Sequence, residues 1–201
     1  MPPRVPPGTE QPEGLSYVEN FIDEEEEAQL RDLLEGLDFR SITMRGQTAR
    51  RTVRHFNLGY GYETGAVTPA DPLPCSMVWL RDRCASLMER NPEDLVQVLV
   101  TRYPPDAGIG WHRDAPKFGS KIAGVSLLAP CRMRFRRTVG GVRSVGELDL
   151  ARRSAYLLNG QARWSWQHSI PAAKAERYSI TFRTLRRNGG ADDAASPAAR
   201  R

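Results

Sequence analysis

From residue 95 onward the chain is broken into short strand-like runs, "LVQVLVTRY", "KIAGVSLL", "RMRFRR", "SAYLLNG", "RWSWQHSI" and "RYSITFRTLR", separated by Gly, Pro and Asn. Runs of this length at this spacing are those of a sandwich or jelly roll. In "RMRFRR" the alternation is strict, so Met133 and Phe135 face one way and Arg132, Arg134 and Arg136 the other. Two helices precede the strands. "FIDEEEEAQLRDLLEGL" predicts the first, with Asp23 as N-cap, Glu26 three residues on, and an apolar stripe of Ala28, Leu30, Leu33, Leu34 and Leu37. Its acidic run sits at the positive end of the helix dipole, which is reason enough for it. "LPCSMVWLRDRCASLMER" predicts the second, with Pro74 near its first turn and Asn91-Pro92 as its stop. Two helices followed by roughly eight strands give an α+β, mainly β fold.

A chain of 201 residues suits one domain with a sizeable core. Residues 1–14 and 188–201 are small, polar and rich in Pro or Gly and are expected to be disordered, leaving a domain over residues 15–187. No apolar run is long enough for a membrane span, and the Pro-rich start lacks the apolar stretch of a signal peptide. Cys75, Cys84 and Cys131 are an odd set without C-x-x-C spacing, which suits a reducing, cytoplasmic setting. A monomer is expected. Charge is divided unevenly: residues 1–131 hold 14 Lys/Arg and 19 Asp/Glu, whereas residues 132–201 hold 15 and 5. So basic a half points to a polyanionic partner or to a solvated arginine surface.

One of only three histidines lies in "GIGWHRDAP". His112 and Asp114, two apart at the end of a strand, project to one side. A facial triad of two imidazoles and one carboxylate holds Fe(II) and leaves positions open for oxygen and a cosubstrate. His168, in "WSWQHSIP", is the candidate third ligand, 168 − 112 = 56 residues downstream. His55, within "RTVRHFNLGY", looks less like one. His-x-Asp alone is weak, and surface polar residues or a hydrogen-bonded rim histidine are the competing readings. The last strand adds weight. In "RYSITFR", Arg177, Ser179, Thr181 and Arg183 share one face and Tyr178, Ile180 and Phe182 the other. Two arginines on one face of an inner strand need anions. Either a diacid takes both, across six residues at about 3.3 Å each, or protein carboxylates such as Asp114 or Asp149 do.

The chain here resembles the AlkB-like Fe(II)/2-oxoglutarate-dependent dioxygenases, over roughly residues 15–187. The likeness is densest from "VTRYPPDAGIGWHRD" to "QHSIP…RYSITFRTLR". The resemblance implies a double-stranded β-helix with N-terminal helices packed on one sheet and a nucleotide-recognition lid. It implies iron ligands His112, Asp114 and His168. It places Arg177 on the far carboxylate of 2-oxoglutarate with Tyr103 as a second contact, and Arg183 near the metal-side carboxylate. Ser179 and Thr101 stand where many members carry asparagine. The implied reaction uses Fe(II), 2-oxoglutarate and O2 to demethylate N-alkylated nucleobases in DNA or RNA oxidatively, releasing formaldehyde, succinate and CO2.

Such a reaction needs a flipped or single-stranded nucleotide held by stacking and basic contacts. "MRGQTARRTVRHFNLGYGY" supplies Arg45, Arg50, Arg51 and Arg54 among His55, Phe56, Tyr60 and Tyr62, and matches the family's lid; an edge hairpin is the plainer reading. Arg51, Arg54, Tyr60, Tyr62 and Trp111 are the candidate substrate contacts, and "RMRFRR" with Arg143 offers phosphate contacts or simply a strand's outer face. Where DNA-repair members carry an acidic residue two places after the metal Asp, this chain has Pro116, then Lys117. That departure leaves open a protein or small-molecule substrate, and behind it a non-catalytic nucleic-acid-binding module.

Overall fold

The β13 strand (Arg177–Leu185) is the organising element: buried on both faces, it is hydrogen-bonded to β8 (Phe118–Leu128) on one side and β6 (Gln97–Tyr103) on the other. A computed structural model describes residues 10–44 and 46–186. The remaining elements are β1 (Leu15–Val18), α1 (Glu24–Glu35), β2 (Arg40–Met44), β3 (Gln47–Phe56), β4 (Leu58–Tyr60), β5 (Val67–Pro69), α2 (Val78–Met88) and β7 (Ile109–His112). After β8 come β9 (Cys131–Val139), β10 (Val142–Leu150), β11 (Ser154–Leu158), α3 (Gly160–Trp164) and β12 (Gln167–Ile170). A seven-stranded antiparallel sheet, β1-β11-β8-β13-β6-β3-β2, faces a four-stranded one, β10-β9-β12-β7, and β4-β5 is a separate hairpin. The arrangement is the expected jelly roll.

Period-two alternation sorts each inner strand between two environments. Tyr178, Ile180 and Phe182 of β13, with Val98 and Val100 of β6 and Ala123, Val125 and Leu127 of β8, pack against Leu30 and Leu34 of α1 and Leu80, Cys84 and Met88 of α2. The helices thus cover the outer face of the large sheet. Each large apolar side chain buried there contributes about 1.5–3 kcal/mol. The opposite face looks into the sandwich. One end of that space is filled by Leu15, Ile122, Met133, Phe135, Leu148, Leu150 and Trp166, while the other end remains polar. Met133 and Phe135 therefore point inward and Arg132, Arg134 and Arg136 outward, as alternation dictates.

Helix α1 starts at Asp23, whose carboxylate accepts from the Glu26 amide (2.8 Å) while Glu26 accepts from the Asp23 amide (3.0 Å), a reciprocal capping box. The acidic run does more than favour the dipole. Glu27 is buried, accepts the Leu128 amide at 2.8 Å and pairs with Arg152, tying the helix to the large sheet. Glu26 pairs with Arg83 of α2 at 2.6 Å.

Several expectations shift. Residues 10–14 are ordered: the Glu10 amide donates to Val145, and the Asn159 and Ala162 amides donate to Gly14 and Glu13. Residues 1–9 and 187–201, which include the rest of the expected arms, lie outside the described residues, as does Arg45. "RWSWQHSI" is not one strand. Arg163 and Trp164 end the short helix α3, and only Gln167–Ile170 is extended. The eight strands after residue 95 are present, but five others, β1 to β5, precede them. Among the described residues no helix is long and apolar enough to cross a membrane.

Candidate active site

The polar end of the sandwich is a cavity of about 550 Å³, lined from both sheets. From the small sheet, His112 on β7 stands directly across from His168 on β12. Their rings are 4.3 Å apart between centroids. Asp114, just past the end of β7, brings Oδ2 to 3.6 Å from His168 Nε2. Residues distant in sequence therefore meet because two antiparallel strands place their imidazoles on one face.

Burial lowers the pKa of His112, against the pull of Asp114, and pushes His168 down to about 3. Both imidazoles are neutral near pH 7, the form that ligates a metal. His112 Nδ1 lies 2.8 Å from the Gly110 carbonyl; a carbonyl only accepts, so Nδ1 carries the proton and Nε2 keeps its lone pair. Burial pushes Asp114 upward, but the Arg183 guanidinium paired with it, with Arg163 behind, outweighs this and holds the carboxylate ionised.

Among the described residues no three His, Cys, Asp or Glu side chains are arranged to hold a metal ion as they stand. Neighbouring donors around a first-row ion at about 2.1 Å are roughly 3.0 Å apart. The 3.6 Å between Asp114 and His168 is longer than this. The donor set, two neutral imidazoles and an ionised carboxylate, fits Fe(II).

The large sheet contributes the anion-binding half. Arg177, Ser179, Thr181 and Arg183 of β13 all line the cavity. Arg177 is 1% exposed and has no carboxylate partner among the described residues. It donates to Ser126 Oγ at 2.9 Å, lies over the Tyr103 ring at 4.8 Å, and leaves Nε unbonded. A buried guanidinium so poorly compensated calls for an anion, and the carboxylate of 2-oxoglutarate suits it. Burial raises the Tyr103 pKa, so its phenol remains a donor beside that carboxylate. Ser179 and Thr101 face each other across the β13–β6 pair and line the same wall. Arg183 behaves differently. It pairs with Asp114 and donates to Gln97 Oε1 at 3.0 Å, and Gln97 in turn bonds His55 Nδ1 at 3.1 Å. The carboxylate reading of Arg183 thus holds. His55, pushed down to about 4 by burial, belongs to this support and not to the ligand set.

Of the substrate candidates, Arg51, Tyr60 and Tyr62 reach the cavity. Tyr60 meets Tyr62 edge-on at 5.6 Å and Phe118 at 5.7 Å, forming an aromatic mouth. The plain and functional readings of the arginine-rich segment both apply: β2 and β3 are an edge hairpin, and Asn57, at φ +61°, turns the chain from it into the β4–β5 flap. Arg54 does not join the site. It lies on the other face of β3, pairs with Asp71 and stacks on Phe56 at 5.5 Å. Trp111 touches the rim, but its indole lies on the outer face of the small sheet under Arg134 and Arg136.

Two residues that matter to the site escaped the sequence reading. Tyr156 crosses the sheet opposite Gly124, where a Cβ would stand 2.3 Å from its ring, so the glycine makes room for the tyrosine that walls the cavity. Arg163 is 2% exposed and donates to four main-chain carbonyls, of Asp114 (3.1 Å), Ala115 (2.9 Å), Phe118 (3.2 Å) and Gly119 (3.1 Å). Burial pushes it down to about 10, still charged at neutral pH. It clamps the loop that carries Asp114. Arg163→Met is therefore expected to weaken metal binding about 10–100-fold, the usual cost of losing a group that orients a ligand, and to lower stability by leaving those carbonyls unsatisfied. Isothermal titration with Mn(II) and a thermal melt without metal read the two effects separately. Unchanged Mn(II) affinity would show that the clamp does not position Asp114.

Comparison with known proteins agrees with this geometry. Residues 14–183 match the family model described as the 2OG-Fe(II) oxygenase superfamily. The tRNA (carboxymethyluridine(34)-5-O)-methyltransferase of Xenopus tropicalis is 29% identical over 191 residues, covering 89% of this chain and 29% of the relative. An alkylated DNA repair protein homolog of Arabidopsis thaliana is 26% identical over 204 residues, covering 87% of this chain and 55% of the relative. The chain thus spans well under two thirds of these relatives' lengths. The solved structure of OsALKBH1 superposes with a TM-score of 0.59 at 14% identity, covering 87% of this chain and 99% of that one, which establishes a shared fold. The chain belongs to the 2OG-Fe(II) oxygenase superfamily, whose chemistry uses Fe(II), 2-oxoglutarate and O2.

Proposed function

We propose that this dioxygenase oxidises an alkyl group on a nucleobase of DNA or RNA, and that an N-methyl group so oxidised leaves as formaldehyde. In balance, N–CH3, O2 and 2-oxoglutarate become N–H, formaldehyde, succinate and CO2. The observation that carries the reading is the aromatic mouth of Tyr60, Tyr62 and Phe118 in the same cavity as His112, Asp114, His168 and Arg177. A cavity of about 550 Å³ lies within the range of small-ligand sites and has room for a cosubstrate with a planar base beyond it. Base-stacking on aromatic rings tolerates any base, because every base has a π-face. The charge of residues 132–201, 15 basic against 5 acidic, suits a phosphate-bearing partner. Relatives named for a tRNA uridine and for alkylated DNA repair fit the same class.

When bound, Fe(II) supplies oxygen activation coupled to 2-oxoglutarate decarboxylation. The chain does the rest. His112, Asp114 and His168 would hold the ion; Arg177, oriented by Ser126, and Tyr103 would hold the distal carboxylate; Arg183 keeps Asp114 ionised; and Tyr60 and Tyr62 shield the reacting group from water. At the loop after Asp114 the cavity wall is Ala115 and Pro116, so no carboxylate there reads the base. The test is incubation with Fe(II), 2-oxoglutarate and single-stranded DNA or RNA oligonucleotides bearing one N-methylated base. Formaldehyde and succinate should appear in equal amounts. Turnover of 2-oxoglutarate that no alkylated oligonucleotide raises would overturn the reading in favour of a protein or small-molecule substrate.

A further inference from the structure

The outer face of the four-stranded sheet bears a row of arginines that the cavity does not use. On β9, Arg132, Arg134 and Arg136 face outward opposite Asp149, Glu147 and Val145 of β10. Both carboxylates go to Arg132, Glu147 at 3.2 Å and Asp149 at 3.0 Å. Arg134 and Arg136 form no ion pair among the described residues. The Arg136 Nε donates to Gln167 at 2.9 Å, and the Arg134 Nε is buried with no partner. Both guanidiniums lie over the indole of Trp111, at 5.2 and 4.5 Å. Trp111 immediately precedes His112, and exposed Arg113 follows it, donating to the Ser165 carbonyl at 3.2 Å. Their strand, β7, is the sheet's edge. Trp111, on this edge strand and at the cavity rim, therefore brings the row to the side of β7 opposite His112.

We infer that Arg134, Trp111 and Arg136 form a track for the phosphate backbone of the nucleic-acid strand whose base enters the cavity. The inference rests on the nucleobase reading above and adds where the backbone runs. Two positive groups without carboxylates are electrostatically complementary to successive phosphates. Guanidinium forks match phosphate oxygens, and stacking on the indole fixes their planes before the ligand arrives. A strand lying on this outer face reaches the metal centre by passing around β7 alone, so backbone and reacting base lie on opposite sides of one edge strand.

The experiment is fluorescence anisotropy of a labelled single-stranded oligonucleotide bearing one N-methylated base, titrated with the full chain, Mn(II) and 2-oxoglutarate over a series of salt concentrations. Arg134→Gln/Arg136→Gln should weaken binding about tenfold. It should also flatten the plot of log K against log salt by about 1.4, at roughly 0.7 per lost phosphate contact on single strands. Arg134→Lys/Arg136→Lys should keep most of the slope, and each single Gln variant should lose about half as much. In turnover, KM for the oligonucleotide should rise with kcat within about twofold. If wild type works on oligonucleotides and the double Gln variant matches it in affinity and slope, the track is wrong and the nucleobase reading stands. If wild type itself ignores every oligonucleotide, or binds anionic vesicles instead with the same salt dependence, both fall.

Discussion

His112→Ala is expected to abolish formaldehyde and succinate release and to remove Mn(II) binding measurable by calorimetry. The loss should go well beyond the ~10–100-fold that follows from disturbing a residue which merely orients a ligand. The reasoning is geometric. His112 and His168 are the two neutral imidazoles of the cavity, their rings 4.3 Å apart, and Asp114 is the carboxylate that approaches His168. Removing one imidazole leaves two donors, too few to fix a facial site. The side chain makes one hydrogen bond, to the Gly110 carbonyl, so the metal-free fold should survive, and a thermal melt close to wild type checks this. A variant that still binds Mn(II) as tightly as wild type would remove His112 from the ligand set.

Arg177→Met should raise the KM for 2-oxoglutarate by roughly 10²-fold or more, the scale of losing about 3 kcal/mol from a buried charged contact. The same substitution should leave the cosubstrate-free protein as stable as wild type or more so. Arg177 is almost wholly buried, its Nε has no partner and no described carboxylate neutralises it, so in the absence of an anion it is a cost to the fold. Met has similar volume and no charge. Arg177→Lys should recover part of the affinity, since an ammonium keeps the charge but loses the fork and the Tyr103 stacking. A melting temperature several degrees lower with KM unchanged would make Arg177 a structural residue instead.

How far the sequence reads into this molecule depends on where side-chain parity is decisive. In β13 the period-two pattern of Arg177, Ser179, Thr181 and Arg183 specified a polar cavity face against an apolar helix-packed face, and the structure has both. His112 and His168 were legible because a ligating residue type was scarce. Parity also shows where the reading went astray. Arg51 and Arg54 are an odd number apart on one strand, so they cannot share a face, and Arg54 turns to Asp71. Trp111 is adjacent to His112, so it meets the cavity only at its rim while its indole lies under Arg134 and Arg136. Other features depend on tertiary contact. Arg163 sits in a five-residue helix inside a run that looks extended, and its role exists only once residues 114–119 fold around it. Tyr156 acts through the absence of a side chain at Gly124 on a neighbouring strand. Four of the five early strands are short, and the longer β3 gains its place by pairing with the β6 edge, with β2 added to it in turn.

The central claim is that His112, Asp114 and His168 hold one ferrous ion beside an Arg177-bound 2-oxoglutarate. An anaerobic titration with Fe(II) and 2-oxoglutarate, followed in the visible, tests it most directly. The chain should develop the weak charge-transfer absorption of a chelated ferrous complex, saturating at one iron per chain and requiring both components. No absorption, or the same absorption in His112→Ala, would contradict the account.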